Sequence, residues 1–575
     1  MHSLIRRSRR SVPFLAGATV LATVLAGAAP AHADTNTLVV NAAGSLGPVT
    51  HVASGGLYAL ATNTTPDPSQ LPPLHLSQLT QPAPGVQQLG NGATTPTGDA
   101  LKVAGSATDV GAQVTIRMPD VYNGFPYQGV TVPDYLQKVD TMVKARLAAT
   151  STTNLNGWEL WNEPDGTWDT NTNGPFNDAW TQIYREVKKY DTVTPIVGPS
   201  ISQYNHATML AFMQNAVATG TVPDVTSWHE LDSGANGWNR ITGDVTDYRA
   251  IEKTLGISPR PISINEYAAP DQVDVASASL HYIAQFERAG VRDAERAYWF
   301  ESGTMNGLLY NDKPTASYWM YKWYGDMAGR MLPVQSSNYL DGIASLDSTR
   351  KVANVVFGGQ AGDTAIRIDG LSGFGTSVQV TLNHTPGSGR TTNVAAPETL
   401  STQTLPVTNG SVTIPVSPNS DYQGAYQAVV TPTAGPVSTW QQTYEAENAT
   451  VVNAQRLTSA TASNGGYVGR IDGTGDPRTD SFVDFLVNVP TARSYTMSIR
   501  YANGGSAPST QGLAYNSSAF QTVSYPTTGA WGNPSGTVQT TVQLRAGSNV
   551  IRLAKGSPNF AGGTGYAELD SITLR

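Results

Sequence analysis

Two Asn-Glu dipeptides, Asn162-Glu163 in "WELWNEP" and Asn265-Glu266 in "ISINEY", each follow an apolar, strand-like run. Alone, such a dipeptide carries little weight, since about one is expected by chance at this composition. Two acids held at the mouth of one cleft, however, suit glycoside hydrolysis. One must stay protonated to donate to the departing oxygen, and the other must be ionised to attack or stabilise the anomeric carbon. A separation of about 5 to 5.5 Å makes the second acid a nucleophile, whereas ~6.5 to 9.5 Å leaves room for a water and implies inversion.

The elements that must position these acids are legible in the surrounding pattern. From about Tyr58 to Leu332, strand-like runs alternate with amphipathic helical ones. The strand runs are "QVTIRM", "GWELWN", "PIVGPSI", "VTSWHEL", "PISINEY" and "RAYWFES", with "GGLYAL" (55–60) as a candidate first strand. Between them lie "VPDYLQKVDTMVKARLAA", "FNDAWTQIYREVKKY" and "SASLHYIAQFERAG", the last closed by Gly290. This repetition predicts parallel β/α units and an eight-unit barrel, a (β/α)8 TIM barrel, at ~30 residues per unit. Positions 163 and 266 are 103 apart, about three such units, so "GWELWN" is expected as the fourth strand and "PISINEY" as the seventh. Carboxyl ends of barrel strands open onto the active-site face, so the two glutamates would confront each other there. Pro164 bars Glu163 from right-handed helical geometry, as a strand ending at that point requires.

After Leu332 only strands are legible, separated by Gly, Asn, Pro and Ser turns, and they predict a β-sandwich. The early run "TLVVNA" is a candidate extra strand for it. "TPTAGPVST" reads as a semi-extended linker, and a second all-β module of jelly-roll type follows it. The amino-terminal residues form a basic head, an apolar stretch and an Ala-His-Ala cleavage pattern, as in a secretory signal peptide, by the general or the twin-arginine route. The expected organisation is therefore signal 1–33, barrel 34–335, sandwich 336–430, linker 431–439 and terminal module 440–575, in a secreted, extracellular protein. Loss of four arginines with the signal takes the formal charge from −8 to −12, which disfavours nucleic acid and anionic membrane surfaces as partners. The absence of cysteine excludes thiol nucleophiles, disulfides and cysteine-bound metals.

"WELWNEP" followed by "ISINEY" resembles the acid/base and nucleophile motifs of clan A retaining glycoside hydrolases. The chain is most similar to glycoside hydrolase family 39, which joins the barrel to a β-sandwich. The resemblance implies Glu163 as general acid/base, Glu266 as nucleophile and Asn162 as donor to the 2-hydroxyl of the reacting sugar, with no cofactor for catalysis. On the same reading Trp299, on the eighth strand, offers an aromatic platform to the sugar, or else packs in the barrel wall. His229, at the end of "VTSWHEL", binds a hydroxyl, or orients Glu266, or is a hydrogen-bonded structural histidine. Tyr267 either donates to Glu266 or packs in the core. Arg117 either contacts substrate or holds a carboxylate in place. Glu159, Glu230 and Glu301 are rival acids; Glu159 is expected mid-strand, and Glu230 and Glu301 are better read as ion-pair partners.

The terminal module, with "YEAENA", "LRAGSNVIRL" and "LDSITL", resembles carbohydrate-binding modules of the family 35 and 6 type. That likeness implies a structural calcium on Glu445, Glu447 and Asp570, a carboxylate set that suits a hard cation. It also implies sugar contact by Tyr501, Asn503 and Trp531. The implied partner is a plant or microbial polysaccharide, of xylan or arabinogalactan type. The rival reading is a non-catalytic carbohydrate-binding protein with an inactive barrel.

Overall fold

The computed structural model describes residues 36–575 except 85–97, 123, 150–151, 153, 299, 338, 420, 434–439, 474–480, 557–559 and 561. The expected signal peptide, most of the linker and Trp299 lie outside the described residues. No helix among those described is long and apolar enough to cross a membrane.

Eight parallel strands close into a barrel: Gly55–Leu57, Gln78–Pro82, Gln113–Arg117, Leu155–Glu159, Ile196–Ile201, Val225–Glu230, Ile262–Tyr267 and Asp293–Ala297. The expected numbering holds, with the two glutamates on the fourth and seventh units. Strand residues are buried almost without exception, because helices cover the outer face and side chains fill the inner one. Helices Val132–Ala148, Phe176–Lys188 and Ala276–Ala289 fall where the amphipathic runs predict them. Thr131 caps the first of these through its side chain, and Gly290, with φ 65°, ends the last in the left-handed region. At Gly198 on the fifth strand a Cβ would fall 2.4 Å from the buried Trp180 ring, so only glycine lets that helix seat.

Two strands depart from expectation. The eighth begins three residues before "RAYWFES" and ends at Ala297, because Asp293 and Glu295 are interior residues, 3% and 1% exposed, whose charge disguises a strand. The fourth ends at Glu159, short of Asn162-Glu163.

The sandwich pairs a four-stranded with a seven-stranded sheet. The early strand Asn36–Asn41 runs parallel to Gly362–Asp369, as "TLVVNA" suggested. Gly47–Pro48 and Arg330–Met331 join the larger sheet. The sandwich thus claims residues on both flanks of the barrel, and the barrel proper starts later than position 34. In the terminal module two antiparallel sheets enclose Phe485, Met497, Ile499, Leu553 and Ile572.

That module is docked rather than loosely tethered. Asn448 Nδ2 donates to Val49 O (2.8 Å) and Gly329 O (2.9 Å), and its Oδ1 accepts from Gly329 N (3.0 Å). Thr450 Oγ1 donates to Gly111 O at 2.5 Å. Val49 and Gly111 precede the first and third barrel strands, so the module sits on the amino-terminal face, opposite the glutamates. A cavity of about 540 Å³ between module, sandwich and barrel lies at this same end and holds neither glutamate.

Candidate active site

Glu163 does not end a strand. It sits at φ 51°, ψ 55°, the left-handed region, immediately before the short helix Pro164–Thr167. Pro164 excludes the right-handed well, and the chain takes the left-handed one instead of the extended one, at a cost of order 1–3 kcal/mol. The surroundings fix this geometry. Glu163 N donates to Ser200 O at 2.8 Å, and Glu163 O accepts from Gly166 N and Thr167 N at 2.9 and 2.8 Å.

Glu266 lies within the seventh strand and is 5% exposed. The register slips against the sixth strand between Ser227 and His229, and against the eighth between Ala294 and Arg296. This irregularity turns the consecutive Asn265 and Glu266 both inward. One carboxylate oxygen of Glu163, one of Glu266 and a ring nitrogen of His229 all lie within 4.8 Å of one another.

Arg117 and His229 organise the pair. Arg117 Nη1 donates to Glu266 Oε1 at 2.5 Å, and its Nε donates to Glu159 Oε2 at 2.9 Å. Glu159, the last residue of the fourth strand rather than a mid-strand one, is therefore an ion-pair partner, fixed further by Asn265 Nδ2 at 2.7 Å. His229, fully buried, places Nδ1 3.1 Å from Glu163 Oε1 and Nε2 3.8 Å from Glu266 Oε1. It thus contacts the expected acid/base more closely than the expected nucleophile. Burial alone would lower the His229 pKa, but the negative charges of Glu266 and Glu163 outweigh it and raise it. For Glu163 burial pushes upward, yet the His229 hydrogen bond and the His229 and Arg117 charges together bring the carboxyl below its ordinary value. Both shifts favour a protonated His229 against an ionised Glu163, and the two groups titrate as a pair.

Tyr267 is not part of the site. Its hydroxyl donates to Ala53 O (2.9 Å) and meets Tyr321 Oη (2.5 Å), because the residue after an inward Glu266 faces the helical layer. Tyr58 and Asp120 escaped notice in the sequence. Arg117 Nη1 donates to Tyr58 Oη at 3.3 Å, and Tyr58 and Tyr127 donate to Asp120 at 2.7 and 3.0 Å. Burial raises Asp120 to about 7 despite Arg117. Tyr58 follows the first strand directly and Asp120 lies three residues beyond the third, so the strand-end rule that singled out the glutamates also points to them. Several buried polar atoms here have no protein partner: Arg117 Nη2, Asn162 Oδ1 and His229 Nε2. Such atoms suit a ligand rich in hydroxyls. The trio Glu163, His229 and Glu266 is also a donor set of the kind a divalent ion uses, but Arg117 already supplies positive charge to Glu266.

In the terminal module the expectations divide. Trp531 is 46% exposed and lies against Gly504 and Gly505. Tyr501 and Asn503 are not available to ligand, at 2% and 1% exposure. Tyr501 points into the core and donates to Pro526 O, and Asn503 ties its own turn to Ala507 O and Tyr525 O. Glu445, Glu447 and Asp570 are buried. Burial first, then mutual repulsion, raises Glu445 to about 7 and Glu447 to about 9, while Asp570 rises to about 6 through burial against the opposing pull of Arg500. Both Glu447 oxygens lack a partner, which fits a hard cation. Asp570 fits less well, because Arg500 Nη1 and Ser463 N already occupy its oxygens.

The chain matches no described protein-family profile. Its architecture is that of a multidomain (β/α)8 barrel followed by antiparallel sandwich modules. It belongs to the family of N2152 from Neocallimastix frontalis, a solved structure with which it shares 31% identity and a TM-score of 0.65, over 69% of this chain and 100% of that one. Among curated proteins it is 26% identical to a 3-O-beta-L-arabinopyranosyl-alpha-L-arabinofuranosidase of Bifidobacterium pseudocatenulatum, over 66% of this chain and 46% of that protein. It is 25% identical to a 3-O-alpha-D-galactosyl-alpha-L-arabinofuranosidase of Bifidobacterium longum, over 82% of this chain and 48% of that protein. The chain spans about half the length of these curated relatives, both of which are glycosidases.

Proposed function

We propose that this chain is a secreted retaining glycoside hydrolase of clan A, similar to family 39, that cleaves α-L-arabinofuranosidic bonds in plant polysaccharide of arabinogalactan type. The observation that carries this reading is that one oxygen of Glu163 and one of Glu266 lie within 4.8 Å of each other, so both carboxyls reach one anomeric centre, as a retaining pair must. The names of the two bifidobacterial relatives favour an α-L-arabinofuranoside over a xylan backbone linkage.

In the first step Glu266 Oε attacks the anomeric carbon, the glycosidic C–O bond breaks, and Glu163 gives its proton to the departing oxygen. In the second, Glu163 takes a proton from water, the water oxygen bonds to the anomeric carbon, and the ester to Glu266 breaks. Arg117 holds Glu266 Oε1 in position for attack, and His229 holds a proton beside Glu163. Asn162 Oδ1 and the free edge of Arg117 remain for sugar hydroxyls. Trp531 is assigned to polysaccharide contact by the terminal module, which acts as a carbohydrate-binding module. There Glu445 and Glu447, with Asp570 alongside, hold a structural calcium.

Incubation with aryl α-L-arabinofuranosides and arabinogalactan tests this, with proton NMR following the first-formed anomer. Hydrolysis with retention, abolished in Glu266→Ala, is the expected result. An inactive parent that still binds the polymer would mean a non-catalytic binding protein, and an inverted product would exclude the double displacement.

A further inference from the structure

The sandwich reaches across to the mouth of the barrel. Its connection 386–397, between strands Ser377–Thr385 and Glu398–Pro406, lies against the segments that follow the seventh and eighth barrel strands. Arg390 N donates to Asp274 Oδ2 at 3.2 Å, Asn393 Nδ2 donates to Tyr310 O and Lys313 O at 2.9 Å each, and Trp319 Nε1 donates to Val394 O at 2.7 Å. These anchors hold the connection in place independently of the Arg390 side chain.

At its tip the Arg390 guanidinium carbon lies 3.6 Å from the centre of the Phe300 ring. Phe300 is 39% exposed and sits three residues beyond the eighth strand. The same loop returns to the catalytic end, where Gly303 N donates to Tyr58 O at 2.7 Å and Tyr58 Oη accepts from Arg117. Among the described residues the Arg390 guanidinium has neither an ion pair nor a hydrogen bond. Asp274 takes its backbone amide instead, and the exposed Glu301 on the Phe300 loop is not paired with it. Stacking on a ring orients a guanidinium while leaving its edge donors free, and that planar fork matches a carboxylate in bidentate fashion. In a chain of formal charge −8, a half-buried, oriented and uncompensated cation beside the cleft requires an anionic ligand to make use of it.

We propose that Arg390, oriented by Phe300, forms a subsite at the rim of the cleft for the carboxylate of a uronic acid residue, so that the preferred substrate is an acidic polysaccharide. This rests on the glycosidase reading above and names its substrate class more narrowly.

The test compares the parent, Arg390→Gln and Arg390→Lys on an aryl α-L-arabinofuranoside, on glucuronate-bearing arabinogalactan, and on the same polymer with its carboxyls reduced to alcohols. Expected for Arg390→Gln is a roughly tenfold rise in KM on the native polymer with kcat unchanged, the loss of one charge-assisted bidentate contact. Arg390→Lys should fall between, and all three proteins should coincide on the reduced polymer and on the aryl glycoside. Equal KM for parent and Arg390→Gln on the native polymer, or the same loss on both polymers, overturns the proposal. Calorimetric binding of the two polymers to Glu266→Ala, with and without Arg390→Gln, reads the contact without turnover. A parent that hydrolyses nothing therefore refutes the glycosidase reading while the isotherms still decide the subsite.

Discussion

Arg117 Nη1 lies 2.5 Å from Glu266 Oε1, both side chains are buried, and the same guanidinium holds Glu159 through Nε at 2.9 Å. One cation thus serves a carboxylate at the cleft and another deeper in the barrel. Asn265 closes the arrangement by donating to Glu159 Oε1. Burial of a charge is tolerated only when it is paired, so these three strands are coupled through one side chain.

Replacement of Arg117 by Gln should therefore cost both activity and stability. Loss of a positioned donor to a reacting carboxylate lowers kcat by about 10² to 10³, and an uncompensated Glu159 lowers stability by roughly 3–5 kcal/mol. Arg117→Lys restores charge without the fork, so melting temperature should recover more than kcat. Steady-state rates on an aryl glycoside, alongside thermal melts, check this. Equal recovery of both would mean that Arg117 acts on the fold alone.

His229 governs the pH profile. Its pKa is raised from 6.5 and that of Glu163 is lowered from 4.5, so the pair keeps its last proton to a pH above that of free imidazole. The alkaline limb of kcat/KM, which reports the essential acid of the free enzyme, should accordingly lie above 6.5. In His229→Gln that limb reports Glu163 alone. A carboxyl rising from 4.5 under burial starts lower than an imidazole rising from 6.5, so the limb moves to lower pH. An unchanged limb with merely reduced kcat would show that His229 does not share the proton.

The parts of this site legible in the sequence are those fixed by local pattern. Short apolar runs alternating with amphipathic ones mark the barrel strands, and an acid closing such a run identifies Glu163 and Glu266. What escaped depends on contacts remote in sequence or on local irregularity. Tyr267 was placed beside Glu266 because adjacency in sequence suggests proximity, yet the strand alternates and the hydroxyl goes to Ala53. Tyr501 belongs to the inward-facing set of Arg493–Ala502, whose alternating burial makes an aromatic there core rather than platform. The eighth strand was displaced because Asp293 and Glu295 look like loop residues until the barrel interior is assembled around them.

The acidic cluster of the terminal module should make stability depend on pH and on added cation. Glu445, Glu447 and Asp570 have folded pKa values near 7, 9 and 6, above their unfolded values of about 4. The folded state therefore binds more protons, and without a cation stability falls as pH rises from about 4 through 9, then levels. A bound divalent ion compensates the charge and removes that slope. Thermal melts at pH 8 should show a rise with calcium over chelator that is smaller at pH 5 and lost in Glu447→Gln. A calcium response at pH 8 indifferent to Glu447 would place the ion elsewhere.

Asn448 offers a test of the docked arrangement. One side-chain amide makes three hydrogen bonds to barrel-side backbone, with Val49 O and with both Gly329 groups, across 399 positions of sequence in the first case. The contact is specific to the amide, since only a group that donates and accepts along one edge can meet Gly329 N and O together. At ~0.5–1.5 kcal/mol per bond, Asn448→Ala should weaken docking by about 1.5–4.5 kcal/mol, towards the upper end if Gly329 N is left unsatisfied. Because the partners belong to different modules, the loss should fall on coupling rather than on either core. Calorimetry of the variant is then expected to show the module melting before the rest, with a wider gap between the two transitions than in the parent. Turnover of aryl glycosides, at the far end of the barrel, should stay unchanged. A uniform drop in one unsplit transition would show instead that module and barrel unfold as one body, held by the wider contact and not by Asn448.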